Sequence, residues 1–270
     1  MLQIDLNTPV NIIKLNLKET IKNLYSQNKS YFENILIKDR VNLLVVGIDK
    51  FGGYLNMKID EYLFNNFDNY FNNCIILRFY QFSNNTITIG KLQKITSDII
   101  NQNKNYLIVR RITGGKAVYH LPNKDLTFSL ISNLEIFKLI KNTNENILRF
   151  IHKFFNNLLK ETIIDTININ LDSLKFYNLN LKNNLKNKNI HNRFDCFANP
   201  MDFELIYNNQ KIVGTAIKID INKFILQANL KLYLIDKIFE NYEYLNSKFI
   251  NVFTQKLSQK LPGNLQKTCH

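Results

Sequence analysis

The apolar positions of this chain change period from segment to segment, and those changes divide it into elements. NLLVVGIDKF is a short apolar run of strand length. In the following GGYLNMKIDEYLFNNF, Leu55, Ile59, Leu63 and Phe64 share one helical face, while Asp60 and Glu61 are expected to face elsewhere. CIILRFYQFSNNTITIG holds two strand-like runs, Ile75 to Phe79 and Thr86 to Ile89, separated by the polar turn SNN. In DLTFSLI, Leu126, Phe128 and Leu130 alternate with Thr127 and Ser129, which predicts a half-buried strand. EIFKLIKNTNENILRFIHKFFNNLLK, ending at Lys160, carries helical spacing through Ile147, Phe150, Ile151, Phe154, Phe155 and Leu158. CFANPMDFELIYNNQKIVGTAIKIDINKFILQANLKLYLI scans as a three-strand meander with turns at YNNQ and IDIN. A helix-like segment then runs to the breaker pair Pro262 and Gly263.

Strands with helices between them predict an α+β fold, built on a mixed or antiparallel sheet flanked by helices. Leu17, Ile21, Leu24 and Tyr25 form a helical stripe ahead of the first strand. Residues 1–42 therefore read as an N-terminal helical extension to a domain over 43–270. Tyr177 to Arg193, rich in Asn and Lys, reads as a flexible insertion within that domain.

At 270 residues and 45% hydrophobic content the chain can bury a sizeable core. Its 35 Lys and Arg against 22 Asp and Glu give a net charge of +13. That balance suits an acidic partner, whether nucleic acid, an anionic membrane or an acidic protein. A compositional drift toward Lys, Asn and Ile accounts for it equally well. No apolar run approaches a membrane span, and MLQIDLNTPVNIIKLNLKET carries acids where a signal peptide has a continuous apolar core. No membrane contact and a cytoplasmic location are expected. Cys74, Cys196 and Cys269 are too few and scattered for a disulfide framework, and no C-x-x-C spacing offers a metal site.

Three segments could carry chemistry. RRITGGKAVYH sets Gly114 and Gly115 among Arg110, Arg111, Lys116 and His120. Bare backbone N–H groups and cations there make an anion or carbonyl cradle, although an ordinary turn uses the same residues. Cys196 precedes a hairpin that folds Lys211 back toward it, and an ammonium beside a thiol favours the nucleophilic thiolate. The plain alternatives are an inert core cysteine and a surface lysine. Gly214, Thr215 and Ala216 follow Lys211 and leave one strand face bare, as where a ligand or backbone comes close. Of the four histidines only His120 sits in such surroundings; His152 reads as an ordinary helix residue.

Taken together, these segments resemble the family of lipoate-protein ligases and octanoyltransferases, relatives of the biotin protein ligases. The shared pattern consists of an LRFYQF strand, a TITIGKLQ strand and turn, the RRITGGKAVYH loop and the KIVGTA strand, with GGYLNMKIDEYLF matching the family's early helix. Four motifs in the family's order, over roughly residues 43–235, carry the resemblance. It implies the catalytic domain shared by class II aminoacyl-tRNA synthetases and biotin and lipoyl ligases. It also implies an enzyme that moves an eight-carbon acyl chain onto a lysine of a lipoyl domain. The matching positions are Cys196 and Lys211 as catalytic residues. Arg78, Gly90, Gln93, Arg110, Arg111, Thr113, Gly114, Gly115, His120, Gly214, Thr215 and Ala216 would bind the acyl substrate.

Within the family, CFANPMDFEL resembles the branch that forms an acyl-thioester on cysteine. That branch takes the octanoyl group from octanoyl-acyl carrier protein and needs no cofactor. Its acceptors are lipoyl-domain proteins such as the glycine cleavage H protein and 2-oxoacid dehydrogenase subunits. The alternatives are an ATP- and Mg²⁺-dependent lipoate-protein ligase, and a degenerate paralogue that binds acyl groups or nucleic acid. Three departures stand out: Lys116 for a third loop glycine, Leu121 where an acid is common, and Ala228 and Asn229 for a His-Gly pair.

Overall fold

In this computed structural model the described residues are 32–37, 41–70, 74–122, 124–141, 144–167, 174–176, 194–197, 204–235 and 242–261. The stripe from Leu17 to Tyr25, the Asn/Lys-rich segment 177–193, Pro200, Phe203, Cys269 and the Pro262–Gly263 pair lie outside them.

The frame is a six-stranded sheet. In spatial order it holds β1 (Phe32–Ile37), β2 (Val41–Phe51), β3 (Cys74–Phe82), β7 (Leu126–Asn133), β12 (Lys223–Leu230) and β11 (Val213–Ile219). Only β2 and β3 run parallel; the other neighbours are antiparallel, so the expected α+β class with a mixed sheet is what the chain adopts. Two corrections concern its edges. Phe32–Ile37, placed by sequence in a helical extension, is a strand paired along β2. The meander is divided between sheets: β11 and β12 join the frame, whereas β9 (Leu205–Tyr207) and β10 (Gln210–Lys211) pair in a separate sheet with β8 (Leu174–Phe176). The β9–β10 turn has Asn208 and Asn209 at φ 45° and 62°, the left-handed pair that a two-residue hairpin requires.

Side-chain alternation gives the frame two unlike faces. Leu126, Phe128 and Leu130 of β7, with Phe224, Leu226, Ala228 and Leu230 of β12, join one core with Ile151, Phe155, Phe249 and Phe253. The last four belong to α5 (Ile147–Ile167) and α6 (Tyr242–Lys260). Burying each such side chain contributes roughly 1.5–3 kcal/mol. The segment read as one helical stretch ending at Lys160 is two helices, α4 (Leu134–Ile140) and α5, and α5 runs seven residues past that end.

The opposite face meets α1 (Gly53–Asn65), the short α2 (Phe67–Tyr70) and a small sheet. That sheet has β4 (Thr86–Ile89) between β5 (Leu107–Arg110) and β6 (Val118–His120), with α3 (Ser97–Gln102) in the β4–β5 connection. Both faces of β7 are therefore covered, and Thr127 and Ser129 are as buried as its leucines. Asp60 of α1 likewise points inward and is fully buried, contrary to its expected outward position.

What keeps Asp60 inside is a set of four donors. Arg78 Nη1 lies 3.0 Å away, Tyr80 Oη 2.9 Å, Ser129 Oγ 2.8 Å and Gln227 Nε2 2.7 Å. Arg78 also donates to Asp49 at 2.9 Å and to the Asn56 Oδ1 at 2.7 Å. Breaking a buried pair leaves a charge uncompensated. Asp60→Ala is therefore expected to cost about 3–5 kcal/mol in urea unfolding; a loss under about 1 kcal/mol would show that Arg78 needs no such partner.

Candidate active site

Strand register builds a pocket floor in one line across the frame. Gly214 pairs with Asn229, Asn229 with Thr127, and Thr127 with Tyr80. From β11 to β3 this line crosses three strand spacings, about 14 Å. Two residues further along the same strands runs a parallel row, Ala216, Gln227, Ser129 and Arg78. Asp60 bonds three of its members, so the polar network and the pocket floor lie side by side on one sheet face. Thr88, Arg111, Gly115, Val118 and His120 close the pocket from above, with Met57 and Phe82 at its sides, around about 410 Å³ including its open mouth.

Two contacts hold the glycine loop. Arg111, 5% exposed, donates to the carbonyls of Thr88 (2.9 Å), Gly114 (2.6 Å) and Lys116 (2.8 Å), and to Thr113 Oγ1 (3.1 Å). Burial lowers its pKa to about 10, opposed by the nearby Cys196 and Tyr80. Gly115 takes φ +89°, and a Cβ on Gly90 would sit 1.9 Å from the Gly115 carbonyl oxygen, so two backbones touch where no side chain fits. Thr113 Oγ1 then donates to Gln227 Oε1 at 2.7 Å, tying the loop to the Asp60 network.

Cys196 and Lys211 meet at the pocket edge. Cys196 N donates to the Ala117 carbonyl at 2.7 Å, which fixes its segment beside β6. Lys211, 3% exposed, directs Nζ to Cys196 Sγ (3.3 Å), Cys196 O (3.1 Å) and Glu204 Oε1 (2.7 Å). The Cys196 sulfur stands 3.8 Å from where a Cβ on Gly214 would lie, and the Phe197 ring 3.0 Å from it. The bare strand face foreseen at Gly214 is thus filled by Phe197 and approached by the sulfur.

The remaining predicted positions divide clearly. Gly115, His120, Gly214, Thr215 and Ala216 line the pocket with Arg111 and Cys196. Arg78 lies beneath α1 in the buried network, away from the pocket lining. Gly90, Gln93 and Arg110 shape the loop: Arg110 Nη1 donates to the carbonyls of Gly90, Lys91 and Gln93, and Gln93 Nε2 to the Phe194 carbonyl. Sequence reasoning gave no role to Glu204, Met57, Tyr80, Phe82, Thr88, Val118, Thr127 or Gln227. For Tyr80, Phe82, Thr88, Thr127 and Gln227 the signal was strand alternation, which puts every second residue of β3, β4, β7 and β12 on the pocket side. His152, read as an ordinary helix residue, bonds through Nδ1 to Thr215 Oγ1 at 3.2 Å.

At the inner end lies a polar corner. His120 stacks on Phe82 with centroids 3.9 Å apart, and its pKa is held well below 6.5 by burial, with Arg111 and Lys231 adding to the effect. Asn229 Nδ2 donates to its Nδ1 at 3.1 Å, which leaves Nε2 to donate to Thr88 Oγ1 at 2.9 Å. Asp125 behind it is pushed up to about 7 by burial, against the pull of Lys231 and Asn229. Asp125 Oδ1 and Asn229 Oδ1 are buried with no hydrogen-bond partner among the described residues. Among the described residues no group of three or more His, Cys, Asp or Glu side chains is arranged to hold a metal ion, and no helix is long and apolar enough to cross a membrane.

With this geometry, the sequence over residues 53–241 matches the model of the lipoyl protein ligase A/B catalytic domain. The chain belongs to that family. Among curated members of the family, the octanoyltransferase LipM of Clostridioides difficile (strain 630) is 31% identical over 176 residues, covering 64% of this chain and 59% of that protein. The LipM of Bacillus anthracis is 27% identical over 145 residues, 48% of its length. The matched region thus spans about half the length of these family members. Among solved structures, protein Ta0514 from T. acidophilum with bound lipoic acid superposes with a TM-score of 0.52 at 19% identity, over 81% of this chain and 86% of that one. A lipoate-protein ligase A bound with ATP gives 0.51 at 18%, over 81% and 85%. The shared family fold is common ground between them.

Two outcomes test the site. Gly214→Val pushes Phe197 and the sulfur off the strand, and iodoacetamide labelling of Cys196 is expected to change by about tenfold or more with the fold retained by circular dichroism; an unchanged rate would mean the close contact constrains nothing. Because folding raises the Asp125 pKa above its usual 3.8, the native state binds the extra proton and loses stability as pH climbs from about 4 to 7. The depressed His120 acts oppositely below 6.5. Asp125→Asn should therefore stabilise the protein relative to the parent more at pH 8 than at pH 5 in denaturant titrations, and equal differences at both pH values would contradict the Asp125 assignment.

Proposed function

We propose that this protein is an acyltransferase of protein lipoylation, taking an octanoyl group from octanoyl-acyl carrier protein onto Cys196 and passing it to a lipoyl-domain lysine. The observation that carries this reading is the Lys211 ammonium 3.3 Å from the Cys196 sulfur at the rim of the pocket. In the first step the Cys196 thiolate attacks the thioester carbonyl, a new C–S bond forms, and the donor's C–S bond breaks to release its thiolate, which takes up the proton that Cys196 gave up. Lys211, held by Glu204, is the donor available to the oxyanion of each tetrahedral intermediate. In the second step the acceptor's lysine amine attacks the acyl-enzyme. An amide forms, the bond to Cys196 breaks, and the amine's proton balances the departing sulfur. Arg111 does not itself take the substrate's charge in this scheme, because its donors already hold the loop carbonyls. In this scheme the acyl chain would lie along the floor from Gly214 to Tyr80, whose pocket-lining residues include Gly214, Asn229, Thr127 and Tyr80. Among acceptors the family resemblance points to the glycine cleavage H protein and 2-oxoacid dehydrogenase subunits, with cytoplasmic residence as the matching location.

One observation favours a second reading, an ATP- and Mg²⁺-dependent lipoate ligation. Lys231, 8% exposed, lies 4.0 Å from the Phe197 ring centroid and makes no ion pair among the described residues. A buried cation of this kind suits a phosphate.

Intact-mass measurement separates the two. Incubation with octanoyl-acyl carrier protein is expected to add one octanoyl group to the parent and none to Cys196→Ser, while Lys211→Met slows the addition by about 10²–10³-fold. Pyrophosphate release from ATP and lipoate, with no adduct, would replace the transferase with the ligase.

A further inference from the structure

Outside the pocket, on the far side of β4, α3 and the small sheet leave an open apolar trough. Ile89, Ile95, Ile100, Tyr106 and Ile108 line it, with Lys104 and Arg110 at its border, around about 1040 Å³ of open space. α3 buries none of its residues, and Ile100 is 49% exposed. A helix with no buried face lacks the packing that normally holds it, and an apolar trough beside it is a docking surface awaiting a complementary ridge.

Charge indicates what the ridge carries. In the β4–β5 connection, residues 90–106, stand Lys91, Lys94 and Lys104 against the single carboxylate of Asp98, and Arg110 adds a fourth cation at the trough's border. An amphipathic helix would lay its apolar i, i+3 and i+4 positions on the isoleucines and its carboxylates against the lysines.

The trough is also joined to Cys196. Its residues Tyr106 and Ile108 pack against a buried cluster of Ile87, Ile89 and Ala117, and Phe194, only two residues before the cysteine, packs against the same cluster. Arg110 at the border holds the carbonyls of Gly90, Lys91 and Gln93, and Gln93 Nε2 donates to the Phe194 carbonyl at 3.1 Å. A protein seated here stands against the segment that presents the sulfur.

We propose that this trough docks an acidic amphipathic helix of the protein that carries the acyl donor, so that its thioester arm reaches Cys196. The inference rests on the transferase reading for the role of the donor, while the docking itself is measurable without turnover. The variant is the full chain carrying Ile100→Glu and Lys104→Glu, both exposed positions outside the pocket. First, binding of octanoyl-acyl carrier protein to Cys196→Ser, with and without these two changes, is measured by fluorescence anisotropy. The Kd is expected to rise about tenfold or more, and its dependence on ionic strength to flatten. Second, acylation of Cys196 is compared for octanoyl-acyl carrier protein and for octanoyl-N-acetylcysteamine, which has no protein part. The expected loss, carried by KM, is confined to the carrier-bound donor. Unchanged carrier binding, or an equal loss with the small thioester, overturns the proposal. So does a loss confined to discharge of preformed acyl-enzyme onto a lipoyl domain, which would give the trough to the acceptor. Should the small thioester yield no acyl-enzyme in the parent, the transferase reading falls, and the anisotropy comparison still decides the docking.

Discussion

A single buried carboxylate sets the constraint on which the site depends. Asp60 has no exposure and receives hydrogen bonds from Arg78, Tyr80, Ser129 and Gln227, residues of three adjacent strands. A charge in such surroundings persists only when its lone pairs are filled. That requirement fixes α1 over the sheet, selects which side chains of β3, β7 and β12 face it, and holds Gln227 in the orientation that accepts from Thr113. The glycine loop is thereby positioned by a chain of hydrogen bonds that begins beneath the helix and ends at Arg111.

The same arrangement accounts for the site's division of labour. Arg111 and Arg110, the cations that look most available in the sequence, are spent on loop carbonyls. Lys211 is left as the cation beside the sulfur because Glu204 partners it from the neighbouring strand end. Burial of a lysine beside a carboxylate and a thiol leaves few competing geometries, so its ammonium is oriented before any substrate arrives. The polar corner at His120 is of another kind: its histidine is neutral, its acid is pushed toward neutrality, and two of its oxygens have no hydrogen-bond partner among the described residues.

Much of this was legible in the chain. The alternation of Leu126, Phe128 and Leu130, the spacing from Leu55 to Phe64, and the Asn-Asn turn each encode local geometry, and each element stands close to where its pattern put it. The convergence of Cys196 and Lys211 was legible in part: the hairpin that follows Cys196 folds Lys211 back, while the hydrogen bond from Cys196 to Ala117 that places the sulfur was not visible in the sequence. What escaped depends on contacts between distant segments. Nothing local to Asp60 says that its donors come from residues up to Gln227, so a charged helix position read as outward. Thr127 and Ser129 read as solvent-facing because alternation reports two faces and not what covers the second. The division of the meander at Ile212, and the strand at Phe32–Ile37, follow from which sheet edge was free, a property of the assembled frame. The part played by Glu204 was hidden for a related reason: an acid beside a strand end acquires meaning only once its neighbour is known.

The β9–β10 hairpin carries Glu204 just before its first strand and Lys211 at the end of its second. Their ion pair closes one tight turn, so the entropy of bringing them together is small and independent of how the long-range sheet assembles. The lysine's orientation is therefore inherited from local chain geometry, whereas the sulfur it meets arrives by docking against β6. Chemistry at this edge joins a lysine held by one local turn to a cysteine held through a contact with Ala117, far from it along the chain.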